Sequence, residues 1–165
     1  MTFDAIYDTE LHYVLRSLRR LGIPMRDLED VAHDVFLVVH KQLAEYDTER
    51  PLRPWLFGIA FRVASTYRRK HSNAKERLSD TDEGASADDP KNPWPAHQTR
   101  QLVLAALETL ELEPRAVIIL HDIDGATANE ISDTLSMPVN RVYSRLRIAR
   151  RDFRHAALKL QEETS

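Results

Sequence analysis

The stretch that decides the fold is residues 125–154, GATANEISDTLSMPVNRVYSRLRIARRDFR. Thr127 and Glu130 have the spacing of a capping box, in which each side chain satisfies a backbone N–H that the start of a helix leaves free. The short helix that they begin is interrupted at residues 136–138 (SMP), and a longer helix follows. This order is typical of a helix-turn-helix. Ser136 occupies a turn position where glycine is common, so a left-handed backbone there would carry a small steric cost.

The second helix of this motif has an apolar face and a face rich in arginine. The apolar face is predicted to comprise Val142, Leu146, Ala149 and Phe153. In a helix-turn-helix the first two turns of the second helix meet base edges, and here those turns carry Asn140, Arg141, Ser144 and Arg145. Arg147 and Arg150 lie further along, where side chains reach phosphates. The alternative is that these arginines only solvate an exposed helix; the capped helix and turn before them favour DNA binding.

Nearer the N-terminus the sequence predicts a separate helical lobe. Apolar residues at spacings of three and four predict helices over residues 3–21 and 25–44. After a loop over residues 46–54, Pro54 is placed as the first residue of a third helix, where its missing N–H costs nothing. The apolar stripe of that helix leaves one opposite side formed by Gly58, Arg62, Thr66 and Arg69.

Between the lobes the helical periodicity is lost. Residues 79–90 (SDTDEGASADDP) are acidic, small and polar, which is the composition of a flexible linker. Beyond it, a helix predicted to begin at Pro114 is expected to bury Val117, Ile118 and His121. We therefore predict an all-α protein with two small helical domains joined by a flexible acidic linker. The predicted ranges are 1–71 for the first domain, 72–98 for the linker and 99–165 for the second domain.

Several classes of site are excluded by composition. The chain has no cysteine, which rules out disulfides and Cys-based zinc or thiol chemistry. His33 and His40 lack a third ligand at metal-site spacing, and no Gly-rich phosphate loop or nucleophile elbow is present. We expect no metal, no cofactor and no catalytic activity. No apolar run reaches the roughly 18 residues of a membrane span, and the N-terminus lacks a signal-peptide pattern, so we expect no membrane insertion and a cytoplasmic location.

The charges are segregated along a chain whose formal net charge is −3. Acidic residues collect in residues 27–34 and in the linker, and basic residues in residues 68–70 and in the last helix. Fields of surface charges act over a Debye length of about 8–10 Å, so the local distribution matters more than the total. Such a protein can contact DNA and still bind it weakly alone.

The order of these motifs resembles the extracytoplasmic-function sigma factors of bacterial RNA polymerase. The first lobe is similar to their region 2 in residues 30–36 (DVAHDVF) and 53–60 (RPWLFGIA). The second lobe is similar to their region 4 in residues 115–118 (RAVI) and 142–150 (VYSRLRIAR). Either motif alone is common; both in this order are specific.

The resemblance implies a role for each lobe. Residues that match the family's polymerase-docking helix are Asp30, His33, Asp34 and Phe36. In the family, one segment opens and reads the minus-ten element, and the residues that match it are Arg53, Arg62, Thr66 and Arg69. Trp55 lies beside them, and we favour a role as a core anchor over a role in base stacking. Residues that match the reader of the minus-thirty-five element are Asn140, Arg141, Ser144, Arg145, Arg147 and Arg150. The implied partners are core RNA polymerase, promoter DNA and an anti-sigma factor.

Arg62, Thr66 and Arg141 depart from the residues that the family often has there, which are Asn, Asp and Thr. Promoter sequence therefore cannot be transferred from relatives. Two other functions remain open. A helix-turn-helix regulator would bind operator DNA as a dimer without polymerase, which leaves the first lobe unexplained. A sigma mimic that only titrates an anti-sigma factor would have no need of the arginines on the last helix.

Overall fold

The computed structural model describes residues 1–72 and 94–164, and this part of the chain consists of helices and turns without a β-strand. None of its helices is both long and apolar enough to cross a membrane. The first lobe comprises α1 (Phe3–Arg20), α2 (Leu28–Gln42) and α3 (Leu52–His71), with 3₁₀ turns at Met25–Asp27 and Leu43–Glu45. The second comprises α4 (Trp94–Glu108), α5 (Leu112–Ile118), a π-helical turn (Ile119–Ile123), α6 (Ala128–Leu135) and α7 (Val139–Thr164). The predicted all-α class is confirmed.

Three helices begin earlier than the sequence pattern indicates. Helix α5 begins at Leu112, two residues before Pro114, which lies in its first turn. Pro54 is the third residue of α3 and not the first, but it still lies in the first turn, where its missing N–H has no intrahelical acceptor to lose. The fourth helix begins at Trp94, inside the range 72–98 given to the linker, because its first turn carries no apolar periodicity to mark the start. The acidic stretch 79–90 lies outside the described residues.

The core of the first lobe lies where α1, α2 and α3 pack on one another. Thr2 begins α1 by accepting a hydrogen bond at Oγ1 from the Ala5 amide at 3.2 Å. Leu18, Val35 and Leu56, one from each helix, are fully buried at the centre. Burial of each such side chain stabilises the fold by about 1.5–3 kcal/mol relative to exposure. This packing fixes the outward faces of α2 and α3.

The second lobe packs α5 and α7 together, with α4 and α6 on either side. Val117 and Ile118 are buried, as expected. His121 is not: about a third of its side chain is exposed, and its Nδ1 lies 2.7 Å from Asp122 Oδ1. The π-helical turn changes the register after Ile118, so the position that a regular α-helix would bury is turned toward the surface.

The two lobes are packed against each other, which the sequence pattern does not indicate. A single cluster of buried apolar residues runs through both lobes. Helices α3 and α6 pack directly on each other, and Gly58 is buried there. A Cβ on Gly58 would lie 3.0 Å from the Thr134 carbonyl oxygen, so the missing side chain allows the two helices to approach. We call this packing of the lobes the closed arrangement.

Candidate nucleic-acid interface

The helix-turn-helix is built as its sequence predicts. Thr127 Oγ1 accepts from the Glu130 amide and Glu130 Oε1 accepts from the Thr127 amide, both at 3.2 Å, which completes the capping box. Ser136 ends α6 in the left-handed conformation with φ 54°. The Met137 amide donates to the Ser132 carbonyl at 3.1 Å across this turn. The turn is thereby fixed by local hydrogen bonds, and it sets the angle at which α7 leaves.

The predicted reading residues of α7 lie on its outward side. Val142, Leu146 and Ala149 are buried against the lobe, which fixes the rotation of the helix about its axis. Phe153 completes this face and is partly buried. On the other side the exposed or half-exposed residues are Asn140, Arg141, Ser144, Arg145, Arg147 and Arg150. All six residues therefore lie on the part of α7 that is turned away from the core of the lobe.

Two of these arginines share one carboxylate. Arg141 donates to Glu113 through Nε at 2.7 Å and through Nη2 at 2.9 Å, and Arg145 Nε donates to Glu113 Oε1 at 2.8 Å. Burial raises the pKa of Glu113, but the hydrogen bonds from Arg145 and Arg141 outweigh it and hold the pKa below its ordinary value. Glu113 is ionised at neutral pH. Nothing in the local sequence pattern indicates this contact, because Glu113 is 28 residues from Arg141.

A separate acidic contact holds Arg150. Its Nη2 donates to Asp122 Oδ1 at 2.7 Å and its Nε to Asp122 Oδ2 at 3.1 Å, a two-point contact of the kind that guanidinium groups make with carboxylates. His121 Nδ1 lies 3.1 Å from the same Nη2. The hydrogen bond from Arg150 is the main cause that lowers the pKa of Asp122. Arg150, predicted to meet phosphate, thus has an acidic partner within the protein.

In the first lobe, three of the predicted minus-ten residues share one side of α3. Thr66 Oγ1 donates to the Arg62 carbonyl at 3.1 Å and accepts from Arg69 Nη2 at 3.4 Å. Arg62 and Arg69 are exposed and Thr66 is partly exposed. Their offsets of four and three residues place them on adjacent turns of one face. This face carries two cations and a hydroxyl toward solvent.

The other two predicted minus-ten residues lie at the start of α3 and are held by neighbours. Arg53 Nε donates to Glu10 Oε2 at 2.9 Å, and its guanidinium lies 4.8 Å from the centre of the Tyr13 ring. Trp55 is partly buried, packs on the core and lies 4.4 Å from the Tyr46 ring, centre to centre. This placement supports the reading of Trp55 as an anchor for the loop before α3.

The closed arrangement brings α6 of the second lobe toward the side of α3 that carries Arg62. Glu130 and Asp133 of α6 line the same cleft as Arg50 and Arg62 of the first lobe. These two acidic residues of the helix-turn-helix thus lie in the same cleft as Arg62, which is predicted to meet promoter DNA. Sequence reasoning missed this juxtaposition, and the glycine in the middle of α3 was the one signal that pointed to a close backbone contact there.

Side-chain contacts join the lobes near α1, including an ion pair between Arg19 Nη1 and Glu108 Oε1 at 3.7 Å. Tyr13 Oη donates to Asp124 Oδ2 at 2.7 Å, and burial together with this hydrogen bond raises the pKa of Tyr13. The Arg115 side chain, 2% exposed, donates to the Glu108 and Leu110 carbonyls and packs on Gly22. A Cβ on Gly22 would lie 2.4 Å from Arg115 Nη1, so this approach requires glycine.

The buried charge of Arg115 also destabilises the closed arrangement. Burial, followed by repulsion from Arg68, lowers the pKa of Arg115 to about 10, so the group stays charged at neutral pH. Arg68 Nη1 and Arg115 Nε find no hydrogen-bond partner among the described residues. The closed arrangement therefore contains two like charges that are incompletely hydrogen-bonded, which opposes closure.

The predicted polymerase-docking residues divide into two groups. Asp30, His33 and Asp34 are exposed on α2. Phe36 is 2% exposed and packs with the rings of Phe3 and Tyr7, so it supports α2 from inside and does not face a partner. Sequence reasoning missed Leu37, whose side chain is 49% exposed. It lies three residues after Asp34 and four after His33, which places it on the face they share.

Two family models match this chain. The model described as Sigma-70 region 2 matches residues 6–74, and the model described as Sigma-70, region 4 matches residues 100–153. These ranges contain the α3 face and the helix-turn-helix, respectively. The two models follow one another in the same order as the lobes.

Curated relatives also match this chain over most of its length. The RNA polymerase sigma factor CnrH of Cupriavidus metallidurans is 31% identical over 144 residues, which cover 82% of this chain and 75% of the relative. The ECF RNA polymerase sigma-E factor of Escherichia coli K12 is 28% identical over 144 residues, covering 81% and 75%.

Among solved structures, CnrH in complex with the cytosolic domain of CnrY has a TM-score of 0.66 at 24% identity, covering 99% of this chain and 89% of that one. The sigma factor RpoE in complex with the anti-sigma factor NepR from Bartonella quintana has a TM-score of 0.63 at 19% identity, covering 91% and 95%. These two likenesses concern the fold. Together with the two family models and the identity to CnrH, they leave one assignment: the chain belongs to the extracytoplasmic-function (ECF) sigma factors, alternative sigma factors that bind core RNA polymerase and direct it to promoters.

Proposed function

We propose that the two lobes divide the promoter between them. Residues 1–71 bind core polymerase and read the minus-ten element, residues 99–165 read the minus-thirty-five element, and residues 72–98 join them. The observation that carries this proposal is the orientation of α7. Its buried face fixes the helix so that Arg141 and Arg145 point away from the core within one turn of each other.

The test of this division is a band-shift experiment with promoter DNA, with and without core polymerase. The chain alone is expected to bind weakly, because the contact between Tyr13 and Asp124 holds the lobes together and Asp122 engages Arg150. With core polymerase present, a specific complex is expected. Tight, specific binding by the chain alone would favour an operator-binding regulator. We also propose that the chain acts in the cytoplasm and catalyses no reaction itself.

The minus-ten element is assigned to the outward side of α3. Arg62 and Arg69 supply cations at a spacing of seven residues, about 10 Å along the helix axis. Thr66 lies between them and supplies a hydroxyl that both donates and accepts. Arg53 and Trp55 position the preceding loop.

Arg62→Ala is expected to lower discrimination at one or two bases of the minus-ten element about five- to tenfold and to leave the minus-thirty-five preference unchanged. The reason is that the Arg62 guanidinium can discriminate only between the bases that lie within its reach. Lys70→Ala is the matched control, since it removes the same charge about 12 Å further along α3. Transcription from a library of minus-ten elements measures the effect. An equal, sequence-independent loss in both variants would contradict the assignment.

Promoter binding requires the closed arrangement to open. The minus-ten and minus-thirty-five elements are named for their positions on the DNA, so they lie about 25 base pairs apart. This is roughly 85 Å of B-form DNA at about 3.4 Å per pair. Each lobe of about 70 residues has a radius of gyration of only about 11 Å. Two lobes joined by the 2.7 Å contact between Tyr13 and Asp124 cannot reach both elements at once.

An anti-sigma partner is proposed for the closed arrangement. The neighbour RpoE is seen in complex with the anti-sigma factor NepR, and a partner that binds both lobes of this chain would hold them together. Such a partner would cover the α2 face and the cleft between α3 and α6. The partner would thereby prevent polymerase and promoter DNA from binding to these surfaces.

Gly58→Leu is expected to separate the lobes and raise the radius of gyration measured by small-angle X-ray scattering. The Leu side chain meets the Thr134 backbone, which cannot move without displacing α6. Gly58→Ala is the matched control: its Cβ at 3.0 Å from that oxygen needs a shift of only a few tenths of an ångström, so a small effect is expected. An unchanged radius in Gly58→Leu, with helix content retained, would show that this contact does not hold the lobes.

A further inference from the structure

The cluster of Glu113 with Arg141 and Arg145 has a consequence for DNA reading. We propose that Glu113 is a positioning residue that holds both guanidinium groups in fixed orientations and so sets the base preference of α7. The inference rests on the proposed function of α7 as the reader of the minus-thirty-five element. Glu113 itself need not touch DNA.

The geometry leaves the reading edge of each guanidinium available. Arg141 is engaged from the side, through Nε at 2.7 Å and Nη2 at 2.9 Å. A guanidinium has five N–H donors in one plane, so its Nη1 group and the second hydrogen of Nη2 remain. These are the two parallel donors with which arginine contacts O6 and N7 of guanine. Arg145 is held through Nε alone, at 2.8 Å, and keeps both of its Nη groups.

The carboxylate is carried by a rigid platform. Glu113 lies in the first turn of α5, and Ala116 and Val117, three and four residues further along that helix, are fully buried. Helix α5 packs directly on α7. The position of the Glu113 backbone relative to the reading helix is therefore set by the core of the lobe, and not by the arginines themselves.

Charge and exposure allow a positioning role. The side chains of Glu113 and Arg145 are about one-third exposed, and that of Arg141 about half, so the cluster is open to a ligand. One negative and two positive charges leave a net positive charge facing solvent. A long, freely rotating arginine loses side-chain entropy when it binds, and a prior contact removes part of that loss.

The opposite role is that Glu113 masks the arginines and competes with DNA. The two roles predict opposite results on its removal. Loss of a positioning residue lowers discrimination between sequences while binding to unrelated DNA stays the same or rises, since one negative charge is gone. Loss of a competitor strengthens binding to the preferred sequence and leaves discrimination between sequences unchanged.

The experiment uses the full chain assembled with core polymerase and a library of minus-thirty-five elements. Glu113→Ala is expected to lower discrimination about tenfold at the bases that Arg141→Ala and Arg145→Ala affect singly. Glu113→Gln keeps the shape and one oxygen acceptor, and it is expected to lose less. Glu111→Ala is the control: Glu111 is the N-cap residue of α5, but its exposed side chain makes no capping hydrogen bond, so the change removes the same charge and discrimination should be unchanged.

A second measurement reports the contact directly. In the wild type, the Arg141 and Arg145 Nε–H groups are expected to exchange slowly with water by nuclear magnetic resonance, and in Glu113→Ala both are expected to exchange quickly. Thermal unfolding of each variant checks that the lobe remains folded, and Glu113→Gln carries the test if the alanine variant does not fold.

Each outcome decides one question. If Arg141→Ala and Arg145→Ala relax base preference but Glu113→Ala and Glu113→Gln do not, the positioning role is wrong and the proposed function stands. If neither arginine variant relaxes preference, the proposed function of α7 is wrong. Stronger binding of the preferred element in Glu113→Ala, with discrimination intact, would establish masking and overturn the inference.

Discussion

Asp34→Lys is expected to weaken binding of this sigma factor to core RNA polymerase by about 2–5 kcal/mol, because truncating or reversing one member of an interfacial charge pair leaves the other unpaired. This corresponds to about thirtyfold to several thousandfold in the dissociation constant. Asp34 is exposed on α2, so the change should not unfold the lobe. Titration of fluorescently labelled protein with core polymerase, without DNA, measures the effect.

Asp8→Lys is the matched control, since it makes the same charge change at an exposed position of α1. Leu37→Ala is expected to weaken binding as well, because an exposed apolar side chain within a charged face is the kind of residue that an interface desolvates. An unchanged dissociation constant in both Asp34→Lys and Leu37→Ala would remove α2 as the docking surface.

Arg145→Ala and Arg150→Ala are expected to fail in different ways. Arg145 lies in the second turn of α7, and its loss should cost about 1–3 kcal/mol at one base of the minus-thirty-five element. Arg150 lies five residues further, about 7.5 Å along the axis, where the backbone of DNA is the nearer target. Its loss should weaken all promoters alike and lower the salt dependence by about one unit of slope.

The contact of Arg150 with Asp122 provides the control for this comparison. Because Asp122 competes with phosphate for the same guanidinium, Asp122→Ala is expected to strengthen binding to every promoter without changing base preference. Transcription from a library of upstream elements at two salt concentrations separates the three variants. A uniform loss in both arginine variants would mean that α7 contributes only charge and that specificity resides in the first lobe.

The local features of this fold follow from the sequence because their causes are close along the chain. The capping box joins residues three apart, and the left-handed turn at Ser136 lies at the break between two periodic stretches. The arginine face of α7 follows from helical spacing alone. For the same reason helical spacing alone places Arg62, Thr66 and Arg69 together on one side of α3.

The remaining features depend on contacts between distant residues, which periodicity cannot report. Glu113 meets Arg141 across 28 residues, and Tyr13 meets Asp124 across 111. The resemblance predicts Phe36 to be a docking residue although it faces the core, since a family motif gives the position of a residue in a helix but not which side of the helix is covered. The packing of the lobes was missed because each lobe already has an apolar stripe that explains its own pattern.

The closed arrangement sets a threshold on each binding event that requires the two lobes to separate. When only a fraction of molecules is open, the apparent affinity of any ligand of the open form is reduced by that fraction, tenfold for each 1.4 kcal/mol or so by which closure is favoured. The charged pair of Arg68 and Arg115 lowers this threshold, since opening returns both groups to water. Removal of this repulsion would deepen the closed state, and promoter DNA, which is proposed to bind the open form, would then bind less readily.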